Sequence, residues 1–458
     1  MGISSLGAGG GVLTQDLLDQ LKEADQAQYV TPLDTRKTTE TKKQDAFNII
    51  NAYMDNVASS LKSLSEYGVF ESRIASSSNE DAATVSAAES SDVQDFSIEV
   101  INLATKEIEQ SGGFAAKTST ISTGSGKLKL TVGSEEFTID YDAATTLEGL
   151  KDLVNNQAGD SVSATIVQIA DNDFRLFLSA KESGLGQEIS ITDVVGEGET
   201  LNTSLTSGMT NVQDAVDAQF KYNSLTITRS SNTVDDLLSG VTITLKEAGT
   251  TNISVKQDTD KIASKIENFI SKYNSALYQV VKDTKSSENA DERGVFSGES
   301  IMKTMKADML NMIGAAGGGV GRVQDYGIEI NDDGSLKLDK TKLNEMLSQN
   351  PANVQAFLAG GTFTNSDGFE VELDGAFVEM EDAIEEYTKY NATLDQYKNL
   401  LEDNIENLTE QRTKALARLT SKYEIMAKQF ATYDAVITQL NSVSSMFTDL
   451  VNAQSSDS

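Results

Sequence analysis

The sequence predicts a multidomain α+β protein: helices from the two chain ends pair into a coiled-coil or helical-bundle stalk, with a two-module β-rich head inserted between them. Three observations predict it. From Ala376 to Leu450 there is neither glycine nor proline, and apolar residues return every three or four positions, the spacing of long amphipathic helices close to a coiled-coil seam. The first seventy or so residues repeat that period. From about 76 to 256 the long stripes give way to short alternating segments rich in Thr, Val, Ser and Gly, the period of strands. Helices at both ends of one chain must therefore meet in a shared bundle, and the middle projects from it.

In chain order, the Gly/Ser-rich residues 1–12 read as flexible in a free monomer. Thr14 is placed to cap a helix with the stripe Leu17, Leu18, Leu21 and Ala24. Thr31-Pro32 breaks or restarts it, and a second helix runs to about Tyr67 with Ala46, Ile50, Tyr53, Val57, Leu61 and Leu64 on one face. Strands are expected at 96–100, 127–132 and 137–141, then a short helix capped by Thr145 or Thr146. A hairpin follows at 162–169 and 174–178 around Asp171-Asn172-Asp173, then strands at 189–191, 218–222 and 225–228. Val241–Leu245 and Thr251–Val255 read as a β pair around Glu247-Ala248-Gly249. Helix returns at Asp260 with Ile262, Ile266, Phe269, Ile270, Tyr273 and Leu277 on one face, and a Met-rich helix runs from Ser300 to Ile313. Residues 326–338 read as a hairpin, Asp339 as a helix cap and Pro351 as the opening of the next helix.

The expected domains follow. Residues 1–42 and 431–458 form a terminal coiled-coil leg; 43–75 and 257–430 form the helical stalk with its short hairpin near 326–338; 76–111 and 206–256 form one β head; 112–205 form a second, inserted in the first. Two sequential β modules are the alternative that the residues leave open.

Composition narrows the function. A net charge of −33 over 458 residues argues against nucleic acid and against anionic membrane surfaces. No apolar run is long enough to span a bilayer, and no basic segment precedes an apolar core, so a cleaved signal peptide is not expected. Cysteine and histidine are absent, which removes the common zinc, haem, iron–sulfur, Ser-His-Asp and Cys-His schemes. Cofactors are expected to be none. Asn331-Asp332-Asp333-Gly334 lacks the ligand spacing of a calcium loop and reads as a turn. Glu379, Glu381, Asp382, Glu385 and Glu386 open a helix, where negative charge suits the dipole. Neither Gly7–Gly11 nor Gly317–Gly321 is followed by the Lys-Ser/Thr pair of a phosphate loop. Met302, Met305, Met309 and Met312 read as core packing before a promiscuous groove. No residue takes a catalytic assignment.

The opening SSLGAGGGVLTQDLLDQLKEAD resembles the start of the flagellar filament-capping proteins, the flagellar hook-associated protein 2 family, though Gly9, Gly10, Gly11 and Val12 stand where members have Gly-Ser-Gly-Leu. Pro32-Leu33 is similar to the family's Pro-Leu, and FSIEVINLA from Phe96 to Ala104 resembles a strand ending in Leu-Ala. SSNTVDDLLSGVTITLKEAG, from Ser230 to Gly249, fits most specifically, through Asn232, Val234, Leu237, Gly240, Leu245 and Lys246. Ile266, Phe269 and Tyr273-Asn274, then Tyr326-Gly327-Ile328 with Gly334-Ser335-Leu336 and Leu338-Asp339, continue the likeness. It is weakest over 112–205.

The resemblance implies a structural protein, not an enzyme, at the distal tip of the extracellular flagellum. It implies export through the filament without a cleaved signal peptide, with transient use of an export chaperone and the type III export apparatus. It implies a homo-oligomeric cap, a pentamer within a range of four to six, that promotes folding and insertion of flagellin. Some members also touch host mucin or other surfaces, to which no residue here adds support. The leg contacts expected on this reading are Leu13, Leu17, Leu21, Ile437, Leu440, Phe447 and Leu450. Alternatives are a flagellin-like or hook–filament junction subunit, a surface adhesin with a coiled-coil stalk, and a carboxylate-based glycosidase, for which no acid pair is placed.

Overall fold

A computed structural model describes residues 14–194 and 200–455. Residues 1–12 and Leu13 lie outside them. Contacts divide the chain into two units, one of Met1–Tyr67 with Ile262–Ser458 and one of Gly68–Lys261.

The first unit opens with α1 (Gln15–Tyr29), begun where the Thr14 hydroxyl accepts the Leu17 N–H at 3.3 Å. Val30 separates it from α2 (Thr31–Ser65), and Pro32 falls in the first turn, where its missing N–H costs no hydrogen bond. The buried face of α2 carries Phe47, Ile50, Met54, Val57, Leu61 and Leu64.

The β unit follows. Strands β1 (Arg73–Ser77), β2 (Ala83–Ala87), β3 (Gln94–Asn102) and β4 (Ile108–Gln110) lead to the hairpin of β5 (Gly126–Val132) and β6 (Glu135–Tyr141). Helix α3 (Leu147–Gln157) is capped by the Thr146 hydroxyl, which accepts the Gly149 N–H. Then come β7 (Val162–Ala170), β8 (Asp173–Ala180), β9 (Ile189–Asp193), β10 (Thr210–Gln213), β11 (Ala218–Tyr222), β12 (Leu225–Arg229), β13 (Thr233–Leu238), β14 (Val241–Leu245) and β15 (Gly249–Gln257).

Two hydrophobic cores organise these strands. One gathers Phe96, Ile98, Phe220, Val234, Ile243 and Val255 from the five-stranded sheet β1-β15-β3-β11-β12 and the three-stranded sheet β13-β14-β2. The other gathers Leu128, Ile139, Leu150, Leu176, Leu178 and Ile191 from α3, the three-stranded sheet β6-β5-β9 and the four-stranded sheet β10-β4-β8-β7. Strand β1 begins at Arg73, inside the range expected for the stalk, because its register with β15 runs from Arg73↔Gln257 to Ser77↔Ile253. Strands β4 and β10 lie just outside 112–205, yet they pair with each other, and β4 pairs with β8.

One expected pairing is wrong. Val241–Leu245 does not pair with Thr251–Val255: β14 lies between β13 and β2, and β15 between β1 and β3. Val241, Ile243 and Leu245 meet Ile253 and Val255 in one core from opposite sheets. The intervening corner is held by the Ala82 carbonyl, which accepts the Lys246 N–H at 2.9 Å. A chain that changes layers at a corner has the same local alternation as a hairpin.

The helical unit resumes with α4 (Thr259–Thr284) and α5 (Ser300–Ala315), followed by the hairpin β16 (Ile328–Ile330) and β17 (Leu336–Leu338). Helix α6 (Lys340–Gln349) is capped by Asp339, and α7 (Pro351–Ala359) by Asn350. A further hairpin, β18 (Gly361–Thr364) with β19 (Glu370–Leu373), precedes α8 (Ala376–Thr388) and α9 (Thr393–Ser455). Within Ala376–Leu450 the helix does break, without glycine or proline. Asn391 takes a left-handed φ of 59°, a conformation Asn tolerates best after Gly. Its N–H is then accepted by the Asp395 carboxylate at 3.0 Å.

The helical core is aromatic and Met-rich. Phe269 meets Phe377 with ring centroids 5.8 Å apart, Phe47 meets Tyr397 at 5.6 Å, and Met302, Met305, Met309 and Met312 are all buried. The Tyr273 hydroxyl donates to the Met309 carbonyl at 3.1 Å. Asn274 fixes the first hairpin to α4: its amide donates to the Leu336 carbonyl at 2.8 Å and accepts the Leu336 N–H at 2.7 Å. Asn274→Ala strands both partners, so urea denaturation of the helical unit should show a loss of about 2 kcal/mol.

Candidate assembly surface on the terminal helices

Antiparallel packing of α1 along α9 begins the site. Leu18 and Val30 are buried with Leu419, Tyr423 and Ala427, and Ala415, Leu416, Met426 and Phe430 pack around them. Charged groups rim this patch. The Asp25 carboxylate accepts the Lys422 ammonium at 2.6 Å and the Tyr423 hydroxyl at 2.9 Å. Asp34 pairs with Arg412, and the Lys422 ammonium lies 5.5 Å from the Tyr423 ring centroid. The Lys422 bond, then the Tyr423 bond, hold the Asp25 carboxyl below its ordinary value. Burial, then the bond to Asp25, push the Tyr423 hydroxyl up.

Beyond Phe430, Asp434 is buried and Ile437 half-buried, but one apolar row of α9 stays exposed. Tyr433, Val436, Leu440, Val443, Phe447 and Leu450 follow one another at alternating steps of three and four, the seam of a coiled coil. Leu440, Phe447 and Leu450 keep 62%, 66% and 64% of their surface exposed. After Lys428, the only charged residues of the helix are Asp434 and Asp449. In a chain of net charge −33, this end is apolar on one face and carries only those two charges.

The residues expected as leg contacts fall into two groups that the structure does not bring together. Leu17 is half-buried and Leu21 is 40% exposed on α1, against the part of α9 that ends near Phe430. Ile437 (half-buried), Leu440, Phe447 and Leu450 lie further along α9. Leu13 is outside the described residues. The helix stripe includes Leu18, the α1 residue most completely buried, but the leg-contact set leaves it out. Sequence reasoning passed over Val436, Val443, Met446 and Val451, exposed beside the chosen four. The heptad register carried that signal.

Elsewhere the acidic groups serve local structure. Glu379 accepts the Gly317 N–H at 3.0 Å, Glu381 accepts the Ser65 hydroxyl at 2.6 Å, and Asp333 accepts the Ser335 N–H at 2.9 Å within its own turn. Among the described residues, no group of three or more Asp or Glu is placed to hold a metal ion, and no helix is long and apolar enough to cross a membrane.

Fold and surface define the class: a multidomain α+β protein with paired terminal helices and an exposed apolar row on the last of them. Known proteins give the particular family. The family models for flagellar hook-associated protein 2 match at residues 10–107 for the N-terminus and 215–442 for the C-terminus. Flagellar hook-associated protein 2 of Campylobacter jejuni is 27% identical over 414 residues, which cover 79% of this chain and 64% of that one. The chain thus spans less than two thirds of that relative's length. The A-type protein of Pseudomonas aeruginosa is 26% identical over 96% of this chain and 95% of its own. Among solved structures, the D1-D2-D3 domains of the Escherichia coli flagellar cap protein superpose with a TM-score of 0.59 at 22% identity, covering 78% of this chain and 99% of that one. The chain belongs to the flagellar hook-associated protein 2 family.

The lowered Asp25 value gives the docking of α1 a pH dependence. A carboxyl depressed in the folded state contributes stability above its unfolded value, near 3.8, and that contribution is lost as pH falls through the lower folded one. Hydrogen exchange over 15–29 should therefore quicken on acidification below about pH 4, and Asp25→Asn should remove that component. Leu18→Ala should loosen the same helix at every pH, by about 2–4 kcal/mol of local opening free energy.

Proposed function

We propose that this chain caps the distal end of the bacterial flagellar filament as a homo-oligomer and promotes the folding and insertion of exported flagellin. The observation that carries the reading is the uncovered seam of α9 from Tyr433 to Leu450, in a chain of the flagellar hook-associated protein 2 family. A helix keeps such a stripe in water only if another surface covers it during its working life. Filament subunits or neighbouring copies would do so, at roughly 25 cal/mol for each Å² of apolar surface removed from water.

On this reading Leu13, Leu17, Leu21, Ile437, Leu440, Phe447 and Leu450 make the leg contacts, with Val436, Val443 and Met446 added to them. Residues 1–42 and 431–458 form the leg, 43–75 and 257–430 the stalk, and 76–111 with 206–256 and 112–205 the two head modules. A pentamer, an export chaperone and the type III export apparatus complete the proposal. The work is mechanical, without a catalytic group.

Labelled protein added to isolated filaments in the presence of flagellin tests it. Signal at one end, with new filament growing beneath it, is the expected result. Label along the whole of the new filament would make the chain a flagellin-like subunit, and no binding would move weight to a junction subunit or an adhesin. Phe447→Asp or Leu440→Asp should weaken end binding at least tenfold while the circular dichroism of the β unit stays unchanged. Loss of the β signal would sink the separation of leg and head.

A further inference from the structure

Strand β4 is inside out. Ile108 and Gln110 are half-buried, whereas Glu109 on the same strand and Glu107 just before it keep only 9% and 7% exposure. Two residues apart on extended chain, the two carboxylates point to the same side. Glu107 accepts the Asn211 amide at 2.8 Å and the Ala215 N–H at 2.7 Å. Among the described residues, neither glutamate forms an ion pair.

Their place in the fold gives the pair its consequence. The chain crosses between the two β cores twice, from β3 to β4 and from β10 to β11. A polar ladder joins the crossings. The Thr105 N–H donates to Val216 at 2.9 Å, the Thr105 hydroxyl to the Asp214 carbonyl at 2.6 Å, and the Gln213 amide to the Lys106 carbonyl at 2.9 Å. The buried glutamates sit at the end of that ladder, on the side of the second core.

The groups around them offer little to neutralise two charges. Strand β8 contributes Leu178 and Ala180, and β9 contributes Ile189 and Ile191, all buried and apolar. Asp193 at the end of β9 is held by the Tyr141 hydroxyl at 2.7 Å and the Leu201 N–H at 3.0 Å, and Glu188 before it is exposed. The segment after β10 adds a third carboxylate, Asp214. The Lys106 ammonium turns to the Lys181 carbonyl. Burial pushes the Glu109 carboxyl above its ordinary value and the Asn211 amide pulls it down; the charge of Glu107, a hydrogen bond shared with the Glu107 carboxyl, and the charge of Asp214 push it up again.

We propose that the Glu107–Glu109 pair is a proton-operated latch on the double crossing between the two β modules, tighter when Glu109 is protonated and looser when both carboxylates are charged. The sign is opposite to that at Asp25. A carboxyl raised in the folded state binds its proton more readily there than in the unfolded chain. Its stabilisation is complete below the unfolded value, near 4.5, and is lost as pH rises through the folded one. Glu109→Gln copies the protonated shape and should hold the latch shut at any pH.

Hydrogen exchange of the intact chain tests this at pH 5.0 and 7.5, corrected for the intrinsic rate, over residues 102–110 and 210–217. The expected result is exchange at least threefold slower at the lower pH in the unmodified chain, slow exchange at both pH values in Glu109→Gln, and no such change in α4. A carboxyl-carbon NMR titration of Glu109 in the unmodified chain gives a second readout if the variant does not fold, and its midpoint should lie above that of an ordinary glutamate. Equal corrected exchange at both pH values, an ordinary midpoint, or an unchanged pH dependence in Glu109→Gln would each overturn the latch.

Discussion

Burial of apolar stripes on helices from opposite ends of the chain is the interaction on which the rest depends. Helix α2 cannot cover Phe47, Ile50 and Met54 alone, and α9 cannot cover Leu394, Leu401 and Leu408 alone. Each needs partners hundreds of residues away, so the whole β unit has to leave and return as a closed excursion. Such closure costs entropy that grows only slowly with loop length, which makes a long folded insertion between paired ends tolerable. The inserted core is built on the same plan one level down, since β4 and β10 leave and re-enter the other β core side by side.

Much of this was legible because it is written in short-range chemistry. Thr14, Thr146 and Asp339 cap helices as their positions predicted, and 3–4 spacing located the buried face of α4. On α2 it found Ile50, Val57, Leu61 and Leu64 but named the half-buried Ala46 and Tyr53 in place of the buried Phe47 and Met54. The failures have physical reasons too. The break at Asn391 depends on one residue adopting a left-handed backbone, which composition does not announce. The corner between β14 and β15 carries the alternation of a hairpin, and only tertiary packing decides which sheet each strand joins. Strand β4 was invisible because its Ile108-Glu109-Gln110 pattern puts the polar side inward. The hairpin β18–β19 was missed because it is short and buries little of its apolar surface, with Phe369 at its turn mostly exposed.

The candidate site was half legible. Spacing picked out Leu440, Phe447 and Leu450, yet a stripe in sequence does not say where its cover ends. Burial along α9 reaches Asp434 and, in part, Ile437 before the exposed run of Leu440, Phe447 and Leu450 begins, and only pairing register sets that limit. Leu17 and Leu18 differ by one position and so by about 100° around the helix, and register alone decided which of them is buried.

The charge-poor end of α9 has a consequence for how the molecule meets its partner. Copies carrying −33 each repel one another at long range, and that repulsion weakens as salt rises and the screening length shrinks. A seam with two aspartates and no cation beyond Lys428 gives attraction no long-range component to set against it. Encounter of two copies through this helix would then be unsteered and faster as salt rises, and their contact would also tighten as the mutual repulsion is screened.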